Sequence, residues 1–237
     1  MTRNLVALLM GLLALLSMSA LTAAAAQAES HHFNSESAPA ILTEEADPEA
    51  PNQVFSLALE GGGTASITCN KLTGKATTTN TTELEKTFSE FHFSKTTNAK
   101  CDSSLTGANS AEMADAGCHN TYTADTNANG HAVVHQVCTG ESLFKIKLPG
   151  CTITIGNNIT FTGVHYTNIG SGPSRATTIH LTVPAEISYT STGIGCALAG
   201  VPAVGNASYT GTIVSKGFQD ASGVEGAQQG VFTTTTP

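Results

Sequence analysis

Asp125, Asn127 and Asn129 place side-chain oxygens at alternate positions ahead of Gly130. That is the pattern of the first half of a calcium loop, in which a carboxylate and amide oxygens converge on a hard cation because glycine permits a sharp turn. The twelfth position of such a loop calls for a bidentate Glu, and here it holds Gln136. Calcium at Asp125, Asn127 and Asn129 would therefore be held weakly. Asn129-Gly130 is also a preferred hairpin turn, and the turn is the reading we adopt. No other cofactor is expected.

The remaining residues with chemical potential are scattered. His31 and His32 precede the strand-like region, and His131 and His135 fall four apart, too far along a strand for easy shared ligation. His92, His165 and His180 stand isolated in sequence, so exposed and solvated histidine is the default reading. There is no GxSxG elbow, no HExxH pair and no Gly-rich phosphate loop. Ser171 between Gly170 and Gly172 reads as a turn. Glycoside hydrolysis needs paired carboxylates and is usually served by aromatic platforms; the strand region offers few acids, and aromatic residues make up 5% of the chain. No catalytic residue is assigned, and a secreted hydrolase assembled from dispersed residues is the alternative reading.

Six cysteines set the compartment. Arg3, the apolar run of residues 5–16 and Ala26-Gln27-Ala28 form the charged, apolar and small-residue parts of a secretion signal, so residues 1–28 are expected to be removed. Cys69, Cys101, Cys118, Cys138, Cys151 and Cys196 all follow it, which points to disulfides in an oxidising, extracellular setting. Fifteen connectivities are open to six cysteines. Cys118 and Cys138 are equidistant from Ala128, so a symmetric hairpin of residues 118–124 and 131–138 would bring them face to face. Pairing the rest in chain order gives Cys69 with Cys101 and Cys151 with Cys196. A rival scheme keeps Cys69 with Cys101 and joins Cys138 to Cys151 and Cys118 to Cys196. A Cys/His metal centre is disfavoured, because no CxxC pair is present and Cys118 and His119 point to opposite faces of a strand.

These residues need elements to hold them, and the pattern is that of strands. Thr and Ile alternate, as in Thr152-Ile153-Thr154-Ile155, and runs of a few residues are separated by Gly, Asn or Pro. Residues 165–168 and 178–183 alternate clearly and should pair across the turn at residues 170–173. Only residues 83–88 and 110–116 look helical. The expected fold is all-β, a disulfide-stapled antiparallel β-sandwich, with a β-barrel-like or jelly-roll arrangement as the alternative. Six acids with no Lys or Arg before Pro51 mark residues 29–52 as a disordered acidic linker. Residues 53–216 form the single domain, and residues 217–237, rich in Gly, Gln, Ala and Thr, form a disordered tail. A net charge of -8, with two arginines and no Trp, excludes a nucleic-acid surface. No membrane association is expected after signal cleavage.

Residues 66–215 resemble a group of uncharacterised secreted proteins of Gram-positive soil bacteria. Thr68-Cys69, Gly117-Cys118, Gly150-Cys151, the segment Tyr166-Thr167-Asn168-Ile169-Gly170-Ser171-Gly172-Pro173-Ser174-Arg175, and Ile187-Ser188-Tyr189-Thr190 before Cys196 carry the likeness. The resemblance implies export and a β fold, and carries no activity with it. It also suggests a fixed partner for Arg175, with Glu186 as the candidate carboxylate. The functional expectation is a secreted non-catalytic β module, binding or structural at the cell exterior, with a glycan or protein as partner.

Overall fold

The computed structural model of the protein describes residues 30–97, 100–107, 110–114, 118–123, 131–139, 144–156, 158–219 and 226–236. In chain order the strands are β1 (Ser30–Ser35), β2 (Ala40–Ala46), β3 (Gln53–Ala58), β4 (Thr64–Cys69), β5 (Lys71–Thr78), β6 (Thr82–Glu83), β7 (Glu85–Ser94), β8 (Cys101–Ser103) and β9 (Ser110–Ala114). They continue with β10 (Cys118–Thr123), β11 (His131–Cys138), β12 (Lys145–Leu148), β13 (Cys151–Ile155), β14 (Ile159–Ile169), β15 (Ala176–Thr192), β16 (Val204–Gln219), β17 (Gln228–Gln229) and β18 (Val231–Thr236). A single 3-10 turn (Gly172–Ser174) and a short helix, α1 (Ile194–Leu198), complete the described elements.

Alternation of side chains decides which face each strand buries. In β5, Leu72, Gly74, Ala76 and Thr78 point inward and Lys71, Thr73, Lys75 and Thr77 outward. β4 buries Ala65, Ile67 and Cys69, and β13 buries Cys151, Ile153 and Ile155. The inward set meets across one interior. The strand β16 pairs β15 along one edge; its other edge pairs β3 with the N-terminal half and β2 with the C-terminal half. From β2 the ladder runs through β5, β7, β10, β11 and β14 to β15, and from β3 through β4, β8, β9, β12 and β13 to β15 again. A short pairing of β7 with β9 ties the two runs together. The wall closes on itself by both routes, so the fold is a closed antiparallel β-barrel.

The expected sandwich is thereby corrected to the barrel-like alternative. A sandwich needs two sheets with free edges, whereas β16 here pairs β15 on one edge and both β3 (residues 207–210) and β2 (residues 213–219) on the other, which closes the wall. The sequence signal that misleads is Pro184, which splits residues 175–190 into two apparent short strands. In the fold they are one 17-residue strand, β15, with an irregularity between Val183 and Ile187 that accommodates the proline. The two helical readings also give way. Residues 83–88 divide between β6 and β7, and Ser110–Ala114 is the strand β9, in which Ala111 and Met113 are buried while Glu112 faces out to Lys100 at 3.1 Å.

The ends of the chain are more ordered than composition implied. The acidic linker contains β1 and β2, and β2 lies between β16 and β5 with Ala40, Ile41 and Leu42 buried. Three successive apolar residues are enough to seat a strand in a wall that already has two edges to offer. Residues 217–219 of the expected tail continue β16, and β18 pairs β1 in a small three-stranded sheet with β6. That sheet docks on the barrel where Phe33 meets Tyr166 edge-on at 5.3 Å and Arg175 lies over the Phe232 ring at 4.0 Å. Residues 1–29, including the expected signal, and residues 220–225 lie outside the described residues.

Aromatic residues are few but concentrated. Phe55 touches Phe93, Phe144 and Tyr209 at ring separations of 5.9, 5.4 and 4.6 Å, and Phe88 meets Tyr122 edge-on at 5.6 Å. They fill the barrel interior, and the small apolar residues complete it.

Candidate functional site

The three bridges join Cys69 to Cys101, Cys118 to Cys138 and Cys151 to Cys196. Cys118 and Cys138 sit directly opposite each other in the β10/β11 hairpin, the register that symmetry about Ala128 implied. The third bridge owes its geometry to glycine. Gly195 approaches the backbone of Gly150, donating its N–H to the Gly150 carbonyl at 2.9 Å, and so brings Cys196 on α1 to the start of β13. A Cβ on Gly195 would lie 2.8 Å from the Gly150 carbonyl and from the Pro149 oxygen, all backbone atoms. This close approach accounts for the repeated Gly-Cys pairs at residues 150–151 and 195–196. Gly195→Ala is expected to lower stability by about 1–3 kcal/mol, read as a fall in the denaturant midpoint with the bridge intact.

Other residues singled out in the sequence have plain positions. Asp125, Asn127 and Asn129 lie outside the described residues. Among the described residues no group of three or more His, Cys, Asp or Glu side chains gathers in metal-binding geometry. Ser171 precedes the 3-10 turn, and its carbonyl accepts from Ser174 Oγ at 2.9 Å. Arg175 has an aromatic partner, Phe232, in place of the suggested Glu186. Arg175 immediately precedes β15 and Glu186 lies eleven residues further along, a separation of about 35 Å in an extended chain. His135 Nδ1 lies 3.1 Å from Thr160 Oγ1. The isolated histidines are less isolated than their spacing suggests: His165 and His180 are directly opposite in the β14/β15 pair.

On the outer wall the strands β16, β2, β5 and β7 frame an open groove of about 630 Å³. Cross-strand register builds it in rows. Lys216, Thr43, Lys75 and Ser89 form one row, and Glu45, Thr73 and His92 form the next. Phe218 is part of its lining. The register between β5 and β7 shifts at Thr73/Lys75, and a bulge of this kind bends the strand beneath the groove. Gly74 sits at the bend because its inner side is occupied: a Cβ there would lie 2.3 Å from the Phe91 ring. Lys216 is ion-paired with Glu45, and Ser89 Oγ donates to the Lys75 carbonyl at 2.9 Å. Lys75, Thr73 and His92 are exposed, so the floor presents donors and acceptors to solvent.

The barrel interior is a different environment. Tyr209 donates to Gln53 Oε1, and Gln53 Nε2 donates to the Thr212 carbonyl at 3.0 Å, so this pair is satisfied. Glu44, on the inward face of β2, is 1% exposed and neither of its oxygens has a hydrogen-bond partner. Burial pushes its carboxyl well above the ordinary value of 4.5, and the neighbouring Tyr122 hydroxyl offsets only part of that rise. Burial and the nearby Glu44 push the Tyr122 and Tyr209 phenols up as well. The contrast is Glu83: burial alone would raise it, but hydrogen bonds from Lys86, Thr78 and the Asn80 N–H prevail and hold it low. The interior cavity, lined by Phe55, Phe91, Asn120, Tyr122, Gln136 and Tyr209 among others, is about 50 Å³. That is room for one or two water molecules.

Sequence reasoning missed both places. Composition places Glu44 and Glu45 in a linker, and the signal against that is the apolar triplet Ala40-Ile41-Leu42 just before them. The groove residues come from four strands and share no local pattern, so only the register assembles them. Comparison with protein-family models, with curated proteins and with solved structures finds no match.

Proposed function

We propose that the chain is a secreted, non-catalytic β module that binds a glycan along the outer groove. The single observation that carries this reading is the groove itself. It is open, its exposed groups are the Thr73 and Ser89 hydroxyls, the Lys75 ammonium and the His92 imidazole beside the half-buried Lys216–Glu45 pair, and the Phe218 ring is part of its lining. Sugars are recognised by such fans of hydrogen bonds together with a ring against their C–H faces. The interior supports the same assignment by its size, since 50 Å³ cannot admit a sugar ring. Three disulfides are consistent with an oxidising compartment, in line with the expected signal at residues 1–28.

A glycan array on the oxidised chain from residue 29 onward tests the reading. A hit whose affinity falls about tenfold or more in Lys75→Ala and in His92→Ala is the expected result, the fold being checked by an unchanged thermal midpoint. Binding indifferent to both substitutions moves recognition elsewhere on the wall. Turnover of a polysaccharide or ester substrate would instead favour the hydrolase reading.

A further inference from the structure

The outer groove carries a surplus of positive charge on an acidic chain. The protein has a net charge of -8, yet the groove lining places two ammonium groups in one lateral row, Lys216 and Lys75 on either side of Thr43. Neighbouring strands lie about 4.8 Å apart, so the two lysines start roughly 9–10 Å from each other, and their flexible stems can converge above the short Thr43. Lys75 is exposed, and none of the ion pairs among the described residues includes it. Lys216 is held by Glu45, but the two side chains are 35% and 44% exposed, and pairs so open to water are weak. Glu44, the other carboxylate in the described lining, is 1% exposed and faces the interior. The register also gives the groove a polarity. Along the chain, Asp47 and Glu49 follow Glu45 on the side away from Lys75, whereas the row that holds Phe218 and Ile41 adjoins the lysine row.

We propose that the groove selects an acidic glycan, one bearing carboxylate or sulfate groups, and seats an anionic group above Thr43 between Lys75 and Lys216, a selectivity that rests on the groove being a glycan site. The incoming anion competes with Glu45 for Lys216 and meets no such rival at Lys75. Hydrogen bonds from an ammonium to an anionic oxygen are shorter and stronger than those to a neutral hydroxyl, so the row rewards charge on the sugar. A lysine ammonium is a point charge with three rotatable donors, so it serves carboxylate and sulfate alike: the row sets the sign of the ligand and not the shape of its charged group. The Phe218 ring in the adjoining row is placed for the C–H face of the same sugar. Long-range attraction cannot mimic the preference, because a net charge of -8 repels an acidic polymer at a distance.

Calorimetry on the oxidised chain tests it with two pairs of probes: oligogalacturonate against its carboxyl-reduced form, and sulfated galactan oligosaccharides against their desulfated form. In at least one pair the acidic member is expected to bind about tenfold or more tightly than the neutral one, with an affinity that falls as salt is raised. Lys75→Ala is expected to erase the preference and Lys75→Arg to keep it, both at an unchanged thermal midpoint. Glu45→Gln, which frees Lys216, is expected to raise affinity for the acidic member about threefold. Acidic and neutral forms bound alike, or a preference that survives Lys75→Ala, overturns the selectivity and leaves the groove as a glycan site wherever binding is still lost in His92→Ala. A neutral hit on the glycan array with no acidic probe bound has the same meaning, whereas no glycan bound in either experiment overturns the glycan site and its selectivity together.

Discussion

Replacing Cys151 and Cys196 together by alanine is expected to destabilise the protein by roughly 4 kcal/mol, the largest effect among the three bridges. The bridge closes 45 residues of sequence, against 32 for Cys69–Cys101 and 20 for Cys118–Cys138. Loop-closure entropy removed from the unfolded chain grows with the logarithm of that length, so the other two pairs should each cost roughly 3–4 kcal/mol, with Cys118–Cys138 the least. Stabilities of this size are a large part of the total for a domain, which typically lies at about 5–15 kcal/mol. Urea unfolding of the three double variants without reductant measures the series. A loss below about 1 kcal/mol in each would show that the barrel wall alone carries the fold.

Substituting Glu44 by Gln is expected to stabilise the protein at neutral and alkaline pH and to leave it nearly unchanged at acid pH. Glu44 titrates near 4.5 in the unfolded chain and well above that in the barrel, so the folded state binds its proton more tightly. The proton's contribution is fully present below the unfolded value and is lost as pH rises through the raised folded value. Across that window the parent loses up to about 1.4 kcal/mol of stability per pH unit relative to the Gln variant. The expected gain at pH 8 is about 1–3 kcal/mol, the usual cost of a buried polar group without a partner. Denaturant midpoints of parent and variant from pH 4 to pH 8 test the sign. Parallel curves would mean that Glu44 gains a partner or water in solution and is not buried bare.

Local chemistry in the chain was legible, and long-range closure was not. Thr-Ile alternation, the symmetric spacing of Cys118 and Cys138 about Ala128, and the turn at residues 170–173 each depend on neighbours a few residues away, and each appears in the fold. The same spacing logic applies to His165 and His180, which are equidistant from the Gly172–Pro173 bond and are set opposite one another by the hairpin. The barrel is not encoded in any such window. It depends on β16 accepting β2, β3 and β15 at once, and on Pro184 sitting at an irregularity in a strand that continues past it. Composition misjudged residues 29–52 for a related reason. Six acids dominate the average, but Glu44 faces the interior and Glu45 pairs with Lys216, a residue 171 positions away.

Because β2 is flanked by β5 and by the C-terminal half of β16, the staves cannot be hooped until residues 213–219 have been synthesised. An emerging nascent chain can form the hairpins of its middle, yet its first wall strand must wait with one edge bare. Assembly of this kind has a high contact order and leaves the wall open until β16 arrives.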